Sequence, residues 1–142
     1  MLPNHWTSLQ AAVLCVCLMG IGCSSASSAG TGLSPVRGKV LVDGKPAGYA
    51  AVTLTPVGSQ AAAGGMADAN GDFRLNTRGF EGTEPGEYFV TVSWALPTNP
   101  NATELDFGPE LLPAKFQDPK KSGLKVVIEA KETVLPPFDL KP

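Results

Sequence analysis

From Val36 onward no window of this chain carries a helical period. Short runs alternate apolar and polar residues and are cut apart by Gly, Pro, Asn and Asp. That punctuation limits the backbone to strands of a few residues joined by turns, the pattern of an all-β sandwich or barrel. The first run, residues 36–42, puts Val36, Val40 and Val42 on one face and Arg37, Lys39 and Leu41 on the other. Asp43-Gly44-Lys45-Pro46 turns it, because Asp-Gly tolerates the positive φ of a tight hairpin. Residues 49–55 place Val52 and Leu54 inward and Thr53 and Thr55 outward. Gly64-Gly65-Met66-Ala67 leads into the turn Asp68-Ala69-Asn70-Gly71-Asp72, which feeds Phe73-Arg74-Leu75. Pro85-Gly86 opens a strand whose Tyr88, Val90, Val92 and Trp94 share a face, and Leu124, Val126 and Ile128 form another inward set. Phe138 and Leu140 supply a closing strand, held to an edge or a late start by Pro136-Pro137. About seven strands are expected, enough for two sheets around one core. The 16 glycines and 13 prolines are matched by 43% apolar residues, so the composition is turn-rich and globular.

Ahead of these strands, residues 9–23 form an apolar run, too short to span a bilayer but suited to the h-region of a secretory signal. It ends in Gly20, Gly22 and Cys23, followed by Ser24-Ser25-Ala26-Ser27-Ser28-Ala29-Gly30. The segment resembles a bacterial lipobox, in which the cysteine is lipidated and becomes the mature N-terminus. Gly20 stands where Leu is usual, and the first basic residue is Arg37. An ordinary cleaved signal, or an uncleaved anchor with Cys23 incidental, is the alternative. The expected organisation is a lipoprotein signal peptide over residues 1–22, a Ser/Gly/Ala-rich tether over 23–34 and a β-sandwich domain over 35–142. The membrane is then a partner through lipidated Cys23. Ser24, with no Asp after the anchor, points to the outer membrane of the cell envelope, on its periplasmic or surface face.

Such a mature chain has no histidine, since His5 leaves with the signal, and no free thiol. Ser-His-Asp and Cys-His chemistry and His-ligated metals are thereby excluded. No intrachain disulfide is available either, so packing and hydrogen bonds must hold the domain. The formal charge of −2 is spread over interspersed Lys, Arg, Asp and Glu, with no basic stripe for nucleic acid.

Four segments follow one another in order: Val40-Leu41-Val42-Asp43-Gly44-Lys45-Pro46-Ala47, Val52-Thr53-Leu54, Ala67-Asp68-Ala69-Asn70-Gly71-Asp72-Phe73 and Pro85-Gly86-Glu87-Tyr88-Phe89-Val90-Thr91-Val92. Together they resemble the carboxypeptidase regulatory-like, or transthyretin-like, β-sandwich domain. Leu112-Pro113-Ala114-Lys115-Phe116 and Asp118-Pro119-Lys120-Lys121-Ser122-Gly123-Leu124 resemble the C-terminal part of small bacterial lipoproteins that carry it. The resemblance implies a seven-stranded, Ig-like or prealbumin-like sandwich without catalytic residues. The transthyretin-like hydrolases share only the architecture, because their active-site histidines have no counterpart here.

Asp68, Asn70 and Asp72 copy the first half of an EF-hand loop, but the twelfth position is Gly79 instead of Glu. A hairpin turn with Asp as a local cap explains the same residues, and no cofactor is expected. Residues 95–123 make a long connection stiffened by five prolines, yet containing Leu105, Phe107, Leu111, Leu112 and Phe116. It reads as a lid folded over one end of the sandwich, or as a protein or glycan surface built from Trp94, Phe107 and Phe116. Trp94 continues the inward face of its strand, which favours the core. Asp106-Phe107-Gly108 lacks every companion motif of a kinase. Asn101-Ala102-Thr103 is a sequon by pattern only. Glu81, Glu84 and Glu87 flank a Gly-Pro turn and are expected to face water, which leaves little basis for a carboxylate hydrolase. The expectation is a non-catalytic envelope protein serving as a structural or protein-interaction module, with a carbohydrate-binding module as the alternative.

Overall fold

Asp43 and Gly44 adopt φ of 51° and 77°. Positive φ at both central residues is the type I′ hairpin geometry, whose twist matches that of the flanking strands. In the computed structural model, which describes residues 32–142, this turn folds β1 (Val36–Val42) back onto β2 (Lys45–Pro46), with Val42 opposite Lys45. The chain continues through β3 (Ala51–Pro56), β4 (Ala63–Met66), β5 (Asp72–Arg74), β6 (Asn76–Thr77), β7 (Phe80–Glu81) and β8 (Gly86–Ser93). After a single 3-10 turn at Ala114–Gln117 come β9 (Lys125–Ile128), β10 (Thr133–Val134) and β11 (Phe138–Leu140).

The protein is all-β and its strands form two sheets, consistent with a β-sandwich. One is ordered β7-β6-β4-β3-β8-β9; in the other, β1 lies between β10 and β11 and also pairs with β2 and β5. The expected seven strands are divided here into eleven shorter segments. β1 matches its expected bounds, and its three inward valines are buried. β8 buries Tyr88, Val90 and Val92, and its neighbour β3 buries Val52 and Leu54, with Val52 opposite Val92 and Leu54 opposite Val90. Each such side chain removed from water contributes about 1.5–3 kcal/mol. The C-terminus closes the core. β11 runs parallel to β1 and sets Val40 beside Phe138 and Val42 beside Leu140, while Phe138 stacks on Phe73 with ring centroids 6.1 Å apart.

The structure departs from the sequence reading at four places. β3 starts at Ala51 instead of residue 49, because Tyr49 sits at φ 66° in a turn. The run read as a lead-in to the Asp68 turn is itself the strand β4, paired with β3 from Ala51–Met66 to Leu54–Ala63. β10 pairs parallel with the start of β1, an edge contact between residues far apart in sequence. Ser34, placed at the end of the tether, is buried and exchanges backbone hydrogen bonds of 2.9 Å with Thr83, so it belongs to the folded body. The expected signal, residues 1–22, Cys23 and the tether as far as residue 31 lie outside the described residues. Among the described residues no helix is long and apolar enough to cross a membrane.

Candidate functional site

The outer face of β1 presents Arg37 and Lys39, the residues that alternate with its buried valines. β5 pairs antiparallel with it and sets Arg74 opposite Arg37 and Asp72 opposite Lys39. Lys39 and Asp72 form a cross-strand ion pair at 3.3 Å. Two arginines placed directly opposite repel one another. Here Arg37 is offset by Glu132 at 3.2 Å and Arg74 by Glu81 at 3.3 Å, each through one guanidinium nitrogen. Arg37, Lys39, Asp72 and Arg74 line a groove of about 950 Å³, whereas Glu81 and Glu132 lie outside its lining. Tyr49, Met66, Leu105, Val134 and Pro137 give it an apolar lining. Met66 (49% exposed), Val134 (62%) and Leu105 (39%) are large apolar side chains left open to solvent.

Tyr49 owes its place to unusual backbone. A bulky residue at positive φ carries a local cost of about 1–2 kcal/mol, and such conformations cluster at binding sites. The Tyr49 N–H donates to the carbonyls of Ala67 (3.2 Å) and Asp68 (3.3 Å), which fixes the turn beside the groove. Replacing Tyr49 with glycine relieves that cost while removing an apolar wall. Its thermal midpoint is expected to stay within a few degrees of the parent, and a drop above about 5 °C, the equivalent of roughly 1 kcal/mol, would contradict this account of the turn.

Leu105 reaches the groove from the long connection, which divides in two. In residues 94–111 the outgoing and returning backbones pair: Thr98 N–H donates to Asp106 at 2.8 Å, Gly108 to Leu96 at 2.9 Å and Leu111 to Trp94 at 2.8 Å. This projecting half leaves Leu96, Leu105, Phe107 and Leu111 exposed. The half that follows folds down as the expected lid, with Leu112 and Phe116 buried. The junction is held by Glu110, whose carboxylate accepts hydrogen bonds from the Ser93 hydroxyl, the Trp94 N–H (2.7 Å) and the Leu112 N–H (3.0 Å).

Burial pushes the Glu110 pKa upward, but the Ser93 hydroxyl and the Trp94 and Leu112 amides outweigh it, and the net shift is downward from 4.5. A carboxylate depressed in the folded state contributes stability above its unfolded pKa and loses it as pH falls through the folded value. The clamp is therefore complete at neutral pH and loosens on acidification below about 4.5. Glu110→Gln is expected to cost about 1–2 kcal/mol, the worth of charge-assisted hydrogen bonds discounted for solvent screening. Hydrogen exchange should quicken at Gly108 and Leu111, whose amides donate to Leu96 and Trp94, while β3 and β8 remain protected. Unchanged protection at Leu111 would show that something other than Glu110 pins the loop.

The three aromatics expected to form one surface are not brought together. Phe116 is 6% exposed and belongs to the core. Trp94 is partly buried against that core, and its indole N–H donates to the Gly48 carbonyl at 3.0 Å. Phe107 alone of the three faces solvent. In the EF-hand-like segment, Asp68 Oδ1 accepts the N–H groups of Asn70 (2.8 Å) and Asp72 (3.1 Å), so its carboxylate builds the turn. The Lys39 ammonium sits against Asp72 and donates to the Asn70 carbonyl at 3.2 Å, placing a cation where a calcium ion would have to bind. Among the described residues no three His, Cys, Asp or Glu side chains gather into a metal-holding group. Glu81, Glu84 and Glu87 separate to different partners: Arg74, the Ala61 N–H at 3.4 Å and Lys125. The groove was missed by sequence reasoning, although the outward placement of Arg37 and Lys39 was its visible half. A scan against protein-family models and searches among curated proteins and solved structures find no match for this chain. The site sets two arginines opposite one another beside exposed apolar side chains.

Proposed function

We propose that this chain is a non-catalytic, lipid-anchored module of the cell envelope, of the carboxypeptidase regulatory-like, prealbumin-like kind, that binds a protein partner. The observation carrying this reading is the exposed apolar edge of the projecting loop, Leu105 and Phe107, beside the Met66 and Val134 side of the groove. Open aliphatic and aromatic side chains gathered around a concavity are the usual marks of a contact surface. A glycan platform stacks sugars on a row of aromatic faces. With Trp94 and Phe116 drawn inward, the aromatics of the loop supply no such row, which favours protein over polysaccharide.

In this reading Cys23 carries the lipid and the tether spaces the domain from the outer membrane. The ten residues between Cys23 and Ser34, eleven Cα–Cα steps, reach at most about 40 Å when extended. Two measurements test the proposal. Intact mass of the membrane-fraction protein should give a chain beginning at an acylated Cys23; a chain still starting at Met1 would remove the anchor. Crosslinking of the full chain in intact cells should recover one recurrent protein, lost when residues 97–107 are shortened to a tight turn. Recovery of polysaccharide without protein would reverse the choice of partner.

A further inference from the structure

We propose that the groove binds an extended peptide segment that alternates carboxylate and apolar side chains, with its carboxylates on Arg37 and Arg74 and its apolar side chains against Met66 and Leu105. This rests on the protein-binding reading above and names the chemistry of the partner. The first support is charge. Three cations, Arg37, Lys39 and Arg74, line the groove with two carboxylates, Asp68 and Asp72, in a chain whose overall charge is −2. Both carboxylates are already engaged, one by the turn and one by Lys39.

The arginines keep capacity in reserve. Their side chains are 55% and 69% exposed, and each meets its glutamate through a single nitrogen. A guanidinium has five N–H donors in a planar fork suited to carboxylate. An incoming carboxylate can therefore bind without displacing Glu132 or Glu81, and it relieves the repulsion between two arginines set opposite each other.

The second support is spacing. An extended peptide sends successive side chains to opposite faces. Along the groove this alternation would set acidic groups toward Arg37 and Arg74, which with Val134 form one cross-strand row, and apolar ones toward Met66 of β4 and Leu105 of the loop. The molecule displays such a segment itself: Glu104-Leu105-Asp106-Phe107 alternates acidic and apolar residues, and its Leu105 already lines the groove. Tyr49 and the buried Phe73 are the aromatic residues of the lining, beside the non-aromatic Met66, Leu105, Val134, Leu135 and Pro137. That composition suits Leu-like side chains better than sugar rings.

The test uses the full chain in detergent and, as probe, a fluorescent octapeptide of alternating glutamate and leucine. Its control is the same peptide with lysine in place of glutamate. The glutamate peptide should bind saturably, weaken with added salt, and lose about tenfold in affinity on Arg37→Gln with Arg74→Gln. The lysine peptide should not bind. Leu105→Ser, at an exposed position where folding is not at stake, should weaken binding severalfold with an unchanged thermal midpoint. Equal binding of both peptides, or undiminished binding by the folded Arg74→Gln chain, overturns the proposal. Saturable binding of oligogalacturonate with no binding of the peptide overturns it in favour of an acidic glycan. Sedimentation showing the groove closed by a second copy of the chain, with the peptide unable to compete, also overturns it. If the peptide fails while cellular crosslinks still depend on residues 97–107, the chemistry assigned to the partner is wrong and the protein-binding reading stands.

Discussion

Gly65→Ala is expected to destabilise the fold by about 3 kcal/mol, or roughly 15 °C in thermal midpoint for a domain of this size. A Cβ added at Gly65 would fall inside van der Waals contact of the Arg74 carbonyl oxygen and 3.0 Å from its carbon. Both are backbone atoms, so no rotamer change can make room and β4 and β5 must separate. Arg74 is paired in turn with Arg37 across β1, so the strain passes directly into the groove floor. Gly64→Ala is the matched control, because its added Cβ would meet the Val52 carbonyl oxygen at an ordinary 3.5 Å. Thermal unfolding of the two variants side by side separates the close approach at Gly65 from a general cost of alanine in β4. Equal midpoints would contradict it.

Tyr88→Ala is expected to cost about 3–5 kcal/mol, the range for emptying a large buried aromatic site. Tyr88 is fully buried, lies opposite Val126 of β9 and donates its hydroxyl to the Glu84 carbonyl at 2.8 Å. Tyr88→Phe removes only that hydrogen bond and should cost about 1 kcal/mol. Burial, and secondarily the Glu84 charge, raise the Tyr88 pKa above 10.0. A phenol whose folded pKa is raised gives its full contribution below the unfolded value and loses it as pH rises from there toward the folded one. Denaturant titrations should therefore show stability falling above about pH 10, with a shallower fall in Tyr88→Phe. Parallel alkaline profiles would place the controlling group elsewhere.

How much of this was legible depended on whether the signal was local. The bounds of β1, the Asp43-Gly44 hairpin and the inward face of β8 rest on side-chain alternation and φ preference within a few residues, and they appear as expected. β4 was hidden because two of its four residues are glycines, which erase the alternation that marks a strand. The same absence of side chains lets β5 approach closely. The parallel pairing of β1 with β10 and β11 joins segments nearly a hundred residues apart, and no local pattern encodes it. The groove follows the same logic. The outward positions of Arg37 and Lys39 were readable from β1, but Arg74 opposite Arg37 is a matter of register between strands. The loop was half legible: its apolar content implied packing, while Glu110, which divides lid from projection, looked like any solvated acid. Tyr49 was read as a strand residue because its side chain suits one. Its positive φ is imposed by hydrogen bonds to Ala67 and Asp68, whose positions are tertiary.

In the proposed role the groove and the loop beside it form a protein-binding face, and site-specific photocrosslinking tests that most directly. A photoactivatable residue is placed at Leu105 of the full chain in intact cells. A second is placed at Phe80, which is 61% exposed on β7, at an edge of the other sheet. A discrete protein adduct from position 105, with none from position 80, is the predicted result. Adducts of equal yield from both positions, or from neither, would contradict it.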